Sequence, residues 1–338
     1  MIDHILSNDE KVLAYVGKKQ YNSAAEQLIK VQLDNWRELA EEYKRLNKVK
    51  TKIFLFDDFQ IKLQYNPGRL KSTSAEVGDA AIKKRSCFLC VDNLPSQQKG
   101  IKLLDKYILL CNPYPVFPHH FTIAAINHHQ QEIKSSFNEL LLLGKIFSKK
   151  YSLIYNGPKC GASAPDHLHF QAGTKQQMSI ENDFQYMVKK YGEQVVNDEK
   201  ISIVAIKDGL RRFIGFETKD ENILSSAFDQ FFKTYKEIIS EESEPMMNII
   251  CSYEKEFGWR VIVFLRSKHR PSHYFLDFDK KFVVSPAAID LGGLCIIPIE
   301  KDFIRIDKET LVDMFKEVSL QNGEYVKLVK TLKEEFNK

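Results

Sequence analysis

Apolar side chains near the start of the chain recur at helical spacing, Leu28, Val31, Leu33, Trp36, Leu39 and Tyr43 standing among Lys, Arg and Glu, and this predicts a helical lead-in from Asn8 to Lys50. The pattern then changes to alternation. KIFLFDDFQIKLQYNP reads as two strands of a hairpin, with a turn at Asp57-Asp58 and an end at a Pro-Gly break. KYILLCNPYPVFPHHFTIAAINHH predicts a strand, a rigid corner carrying Pro113, Pro115 and Pro118, and a second strand. A helix from Gln130 to Lys150, the strand YSLIYN, a glycine-rich loop and the strand HLHFQA follow.

The second half replays this order in outline. NIICSYEKEFGWRVIVFLRSKHRP supplies strand, turn, strand and a basic corner, and DLGGLCIIPIE stands where the glycine loop and alternating strand would be. Helical patterns at 222–240 and 308–337 would cover the sheet, and SEESEP, Ser240 to Pro245, reads as a surface loop. The expectation is an α+β protein of antiparallel sheets with flanking helices. A lead-in over 1–50 precedes two related halves, 51–200 and 201–338, of one domain.

Composition narrows the function. With 338 residues and 43% hydrophobic content the chain buries a sizeable core, and a net charge of +4 from 49 basic and 45 acidic residues, spread along the sequence, gives no nucleic-acid signal. No window is long and apolar enough to span a bilayer or to read as a signal peptide, so a cytoplasmic protein without membrane association is expected. Six cysteines are too sparse for a disulfide framework, and two of them sit as Cys87-x-x-Cys90, a spacing suited to a metal clip or a redox pair.

The chemistry concentrates in NGPKCGASAPDHLHFQAG, Asn156 to Gly173. On a strand His167, His169 and Gln171 would share one face while Leu168 and Phe170 enter the core. Three polar groups on one face are costly to bury without partners or a task. The plain reading is a pair of hydrogen-bonded core histidines; the loop upstream favours chemistry, because backbone N–H groups around Gly161 and Ala162, with the Ser163 hydroxyl, would cradle a phosphate beside an imidazole.

GASAPDHLHFQ closely resembles the active-site motif of one branch of the histidine-triad superfamily, that of galactose-1-phosphate uridylyltransferase, diadenosine tetraphosphate phosphorylase and the GDP-hexose phosphorylases. The resemblance implies two histidine-triad-like repeats. It also implies that His169 is a nucleophile forming a nucleotidyl-histidine and that Gln171 holds a phosphate oxygen of that intermediate. Asp166, between Pro165 and His167, departs from the uridylyltransferase pattern. SCFLC resembles the family's zinc clip, which implies Cys87, Cys90, His128 and His167 as ligands of a structural zinc, or of iron in its place, with His129 as the rival to His128. YNPGRLKSTS falls where the family contacts phosphates, implicating Asn66, Arg69 and Ser72 beside Asn156, and NPYPVFPHHFTI resembles its nucleoside-pocket corner. In the second half Arg266, Lys268 or His269 is a candidate for the second substrate, with a solvated basic corner as the plainer reading.

The implied function is nucleotidyl transfer or phosphorolysis. The substrate would be a nucleotide sugar or dinucleoside polyphosphate, and phosphate or a sugar 1-phosphate the acceptor. The resemblance leaves a homodimer open. Two rivals remain: a hydrolase with the same nucleophile, disfavoured by Gln171 where simple hydrolases carry histidine, and a non-catalytic zinc-containing nucleotide-binding protein, disfavoured by an intact His169.

Overall fold

Ten strands, all paired antiparallel, form one continuous sheet in the order β3-β4-β5-β7-β6-β11-β12-β10-β9-β8. They are β3 (Gly100–Leu103), β4 (Tyr107–Cys111), β5 (His120–Ala125), β6 (Tyr151–Asn156) and β7 (His169–Thr174), then β8 (Gly192–Asn197), β9 (Ser202–Lys207), β10 (Arg212–Thr218), β11 (Met247–Glu254) and β12 (Gly258–Leu265). A second sheet holds the hairpin β1 (Lys50–Leu55) and β2 (Gln60–Tyr65), with β13 (Leu294–Ile297) parallel to β2. These features come from a computed structural model that describes residues 2–57, 59–74, 78–277 and 279–336. Asp58 of the expected hairpin turn lies outside them.

The duplication is in the topology. Each half lays down three strands, crosses by one helix, Phe137–Ile146 or Glu221–Ile238, and returns with two strands. The halves meet where Asn156 of β6 stands opposite Asn248 of β11. The correspondence differs from the sequence reading: β11 and β12 answer β6 and β7, not β4 and β5. DLGGLCIIPIE runs from the end of a short helix, Ala288–Leu291, into β13, and it lies outside the large sheet. The reason is local. The second half joins its last two strands by a tight turn at residues 255–257, whereas the first inserts the glycine-rich loop over residues 157–168.

Both faces of the sheet are covered, which is why many strands read as nearly continuous apolar runs. Phe121, Leu153, Tyr155 and Phe170 pack in a core with residues of the helices Tyr21–Asn35, Phe137–Ile146, Glu221–Ile238 and Asn322–Phe336. Ile154, Ile250 and Ile262 belong to a second core, with the helices Ile180–Tyr191 and Lys308–Val318 and the smaller sheet. The lead-in is three helices, Glu10–Gly17, Tyr21–Asn35 and Arg37–Leu46, because Trp36 adopts extended backbone and enters the core. The expected helix over 130–150 is confined to Phe137–Ile146, and 308–337 breaks near Leu320, whose N–H pairs with the carbonyl of Leu265. SEESEP is a loop exposed at Ser240, Glu242 and Ser243, but its end is not: Glu244 is buried, accepting from Tyr155 Oη at 2.6 Å and the Ile133 N–H at 2.5 Å, and burial pushes its carboxyl up to about 8.

Candidate active site

Strand alternation places Phe170 and Ala172 in the core and leaves His169 and Gln171 on the opposite face, lining a cavity of about 970 Å³. His167 does not share that strand: β7 starts at His169, and His167 occupies the preceding turn. The strand start is pinned by a side chain that the sequence reading passed over. Gln131 accepts the His169 N–H at 2.7 Å and donates to the carbonyls of Asn156 and His169 at 2.9 and 3.0 Å, clamping β6 to β7. Its signal in the sequence was only adjacency to the histidine pair in HHQQEI.

His169 is 4% exposed. Its Nδ1 stands 2.8 Å from the His167 carbonyl, which can only accept, so Nδ1 carries the proton and Nε2 keeps its lone pair. Nε2 makes no hydrogen bond to the described residues. Burial, outweighing the bond to the His167 carbonyl, lowers the imidazole pKa to about 4. The ring is therefore neutral across the physiological range. If His169 reacts, kcat/KM for its modification is expected to stay level from pH 5 to 8 and fall only near pH 4, since protonation removes the lone pair. A half-maximal point near the ordinary value of about 6.5 would show that the ring is not held neutral.

Gln171 is oriented by His120. The Val116 N–H, 3.3 Å from His120 Nδ1, makes that nitrogen the acceptor, so the proton sits on Nε2, which donates to Gln171 Oε1 at 2.9 Å. Burial pushes the His120 pKa down to about 3, keeping it neutral. Since its oxygen is engaged, the Gln171 amide turns its NH₂ group elsewhere, as a donor with no proton to give.

Cations complete the wall. Arg69 donates through Nη1 to the Tyr114 carbonyl at 2.9 Å, and Arg85 pairs through Nη2 with Asp166 at 3.1 Å; both line the cavity. Arg69 Nε and Arg85 Nη1 are buried without partners among the described residues, donors suited to an anion. Arg85 was missed because nothing in KKRS marks it out from neighbouring lysines. Asp166, the extra residue of the motif, serves to hold it. Ser72, Gly161, Ala162 and Ser163 also line the cavity, and the Ser72 hydroxyl donates to Arg69 O at 3.0 Å. Gly161 has φ +112°, and a Cβ there would lie 2.6 Å from that of Ala287, so no other residue fits.

Two expected contributors are placed differently. Asn66 is buried outside the cavity wall, its amide donating to Gln64 Oε1 at 3.1 Å and the Pro115 carbonyl at 3.0 Å, so it fastens the proline corner. Arg266 is fully buried, and the Lys268 Nζ pairs with Glu317 at 2.8 Å; of the three basic candidates in the second half only His269 faces the cavity.

Beside this site Cys87, Cys90, His128 and His167 bring four ligand atoms within 4.8 Å of one another. The contacts are 3.3 Å for Cys87 Sγ to His167 Nδ1, 3.2 Å for Cys90 Sγ to His128 Nδ1, and 3.6 Å for Cys90 Sγ to His167 Nδ1. Tetrahedral bonds of about 2.0–2.3 Å require ligand separations of roughly 3.3–3.8 Å, so the residues fit a transition metal. The His167 Nε2–H donates to the Ala125 carbonyl at 2.7 Å, which leaves Nδ1 as the ligand. His129 is exposed outside the cluster and acts through its carbonyl, which accepts the Leu168 N–H at 2.8 Å.

Two family models match the chain: Domain of unknown function (DUF4922) over residues 28–174, and GDPGP1-like, C-terminal domain over residues 190–338. In fold it is similar to yeast Ap4A phosphorylase Apa2. The AMP complex aligns at 13% identity with a TM-score of 0.55, covering 86% of this chain and 96% of that one. The Ap4A complex gives 12% identity and 0.56, covering 86% and 97%. No curated protein matches in sequence. Among the described residues, no helix is long and apolar enough to cross a membrane.

Proposed function

We propose that this chain, with its GDPGP1-like C-terminal domain and its fold, belongs to the phosphorylase branch of the histidine-triad superfamily and transfers a nucleotidyl group by double displacement through His169. The observation that carries this reading is the neutral ring, with Nδ1–H bound to the His167 carbonyl and Nε2 free of partners in the cavity. Nε2 attacks the α-phosphorus of a nucleotide sugar or dinucleoside polyphosphate. As the N–P bond forms, the bridging P–O bond breaks, and the phosphorylated remainder leaves. Positive charge on the imidazole is met by its Nδ1–H bond to the carbonyl. An oxygen of phosphate or of a sugar 1-phosphate then attacks the phosphorus and restores the free histidine.

Gln171 sets the fate of the intermediate. Its amide donates to a phosphoryl oxygen but cannot protonate a leaving group or activate water, which favours the incoming phosphate over hydrolysis. Mass spectrometry after incubation with a panel of nucleotide sugars and dinucleoside polyphosphates tests the reading, since the added mass identifies the base. With such a substrate, Gln171→His is expected to keep the labelling while raising the ratio of nucleoside monophosphate to transferred product. An unchanged ratio would remove the role assigned to the glutamine.

Arg69 and Arg85 are assigned to the phosphates, with Ser72, Ser163 and the loop at Gly161 and Ala162. Loss of one charge-assisted hydrogen bond costs about 1.5–3 kcal/mol, so Arg69→Ala is expected to lower kcat/KM by roughly ten- to a hundredfold. Wild-type kinetics in the folded variant would make the loop a connector. Zinc in the Cys87, Cys90, His128 and His167 cluster completes the reading, as a structural ion beside the reacting centre.

A further inference from the structure

Arg266, at the end of β12, makes no ion pair among the described residues and is 1% exposed. All five of its N–H groups end on oxygens. Nε reaches Val318 O at 3.1 Å; Nη1 reaches Asn248 Oδ1 and, at 2.8 Å, Pro286 O; Nη2 reaches Lys268 O at 2.8 Å and His269 O at 3.1 Å. A guanidinium only donates, so the Asn248 atom facing it is the carbonyl oxygen. The Asn248 Nδ2 group then donates to Asn156 Oδ1 at 2.9 Å and to Cys160 O at 2.6 Å. A second donor that cannot reverse, the Ala288 N–H, reaches the same Asn156 Oδ1 at 2.9 Å. With its oxygen doubly engaged, Asn156 has one polarity open to it. Its Nδ2 has no partner among the described residues, in a cavity that Asn156 lines together with His169 and Gln171.

We propose that Arg266 and Asn248 are positioning residues through which the second half of the chain holds the Asn156 NH₂ group toward the cavity, as a donor to a phosphoryl oxygen. The Val116 N–H and His120 do the same for Gln171 from within the first half, so two amides of fixed polarity share the cavity wall with the His169 ring. Were Asn156 free to turn over, its carbonyl would face the anion and repel it. This explains what the half without a nucleophile contributes: it fixes the direction of a dipole. The inference rests on the nucleotidyl-transfer reading only for the identity of the anion as a phosphoryl group.

Asn248→Asp is the informative change. The carboxylate still accepts from Arg266, which neutralises it, but it cannot donate to Asn156: it sets an acceptor against the Asn156 oxygen, which keeps only the Ala288 N–H, and so favours the reversed amide. The probe is inorganic phosphate, with affinity read by calorimetry and folding by melting temperature. Asn156→Ala and Asn248→Asp are each expected to weaken phosphate binding by about tenfold or more. In the Asn156→Ala background Asn248→Asp should add no more than about twofold, because the group it acts through is gone. Wild-type affinity in Asn248→Asp, or an equal loss in both backgrounds, overturns the relay. If Asn248→Asp does not fold, Asn248→Ala carries the same cycle without a new charge: it removes the donor from the second half, the Ala288 N–H alone does not hold the amide, and the same two outcomes decide. The readout needs no turnover: coupled phosphate binding in a protein that is never labelled would refute the nucleotidyl-histidine and leave the relay standing.

Discussion

His169→Ala is expected to abolish both nucleotide labelling and turnover, a loss on the order of 10⁴-fold or more, as removal of a covalent nucleophile gives elsewhere. The size follows from the absence of a substitute at the same position. The histidines that flank it in the first half are committed: His120 binds Gln171, and His167 is spent on Ala125 and the cysteine cluster. The measurement pairs intact mass after incubation with the panel of nucleotides and a turnover assay on whichever substrate labels the wild type. Because His169 is buried at the start of β7, the melting temperature is recorded alongside. A cooperative, wild-type-like melt with no label is the expected result. Labelling that survives in a folded His169→Ala protein would take the nucleophile away from this residue.

Stripping the metal, or changing Cys87 or Cys90 to serine, is expected to lower the melting temperature and the labelling rate together. The four candidate ligands come from three separated segments, the clip at 87–90, the turn after β5 and the turn before β7, and an ion held there would tie all three at one point. Structural zinc contributes about 10–16 kcal/mol to small peptides that fold around it. In a chain with large cores of its own a loss of at least ~3 kcal/mol is expected, roughly 4 °C or more in Tm. The labelling rate should follow because one residue serves both sites: His167 offers Nδ1 to the cluster, and its backbone carbonyl fixes the proton on His169 Nδ1. Elemental analysis of protein purified without added metal, with thermal melts of both serine variants, decides the matter. Metal-free wild type and unchanged melts would sink the metal reading.

The alternation of residues 167–171 and the change of period after residue 50 determined an α+β chain with His169 and Gln171 on one strand face, because side-chain direction in a strand is a local property. The Cys-x-x-Cys spacing likewise suggested a metal clip or a redox pair, while the full candidate set came from the resemblance to the family's zinc site. What the sequence could not settle was every choice that depends on partners far along the chain. The pairing of β11 and β12 with β6 and β7, and the exile of DLGGLCIIPIE to the smaller sheet, follow from which edges meet, which no local period encodes. The separation of His128 from His129 turns on which imidazole reaches Cys90. Asn66 and Arg266 carry the right chemistry for phosphate, yet both are committed to protein carbonyls and amides, because burial obliges polar groups to find fixed partners. For the same reason the tautomer of His169 and the amide directions of Gln171 and Asn156 are tertiary facts. Each is set by a donor or acceptor that cannot reverse, supplied from elsewhere on the chain for Gln171 and Asn156 and by the neighbouring turn for His169.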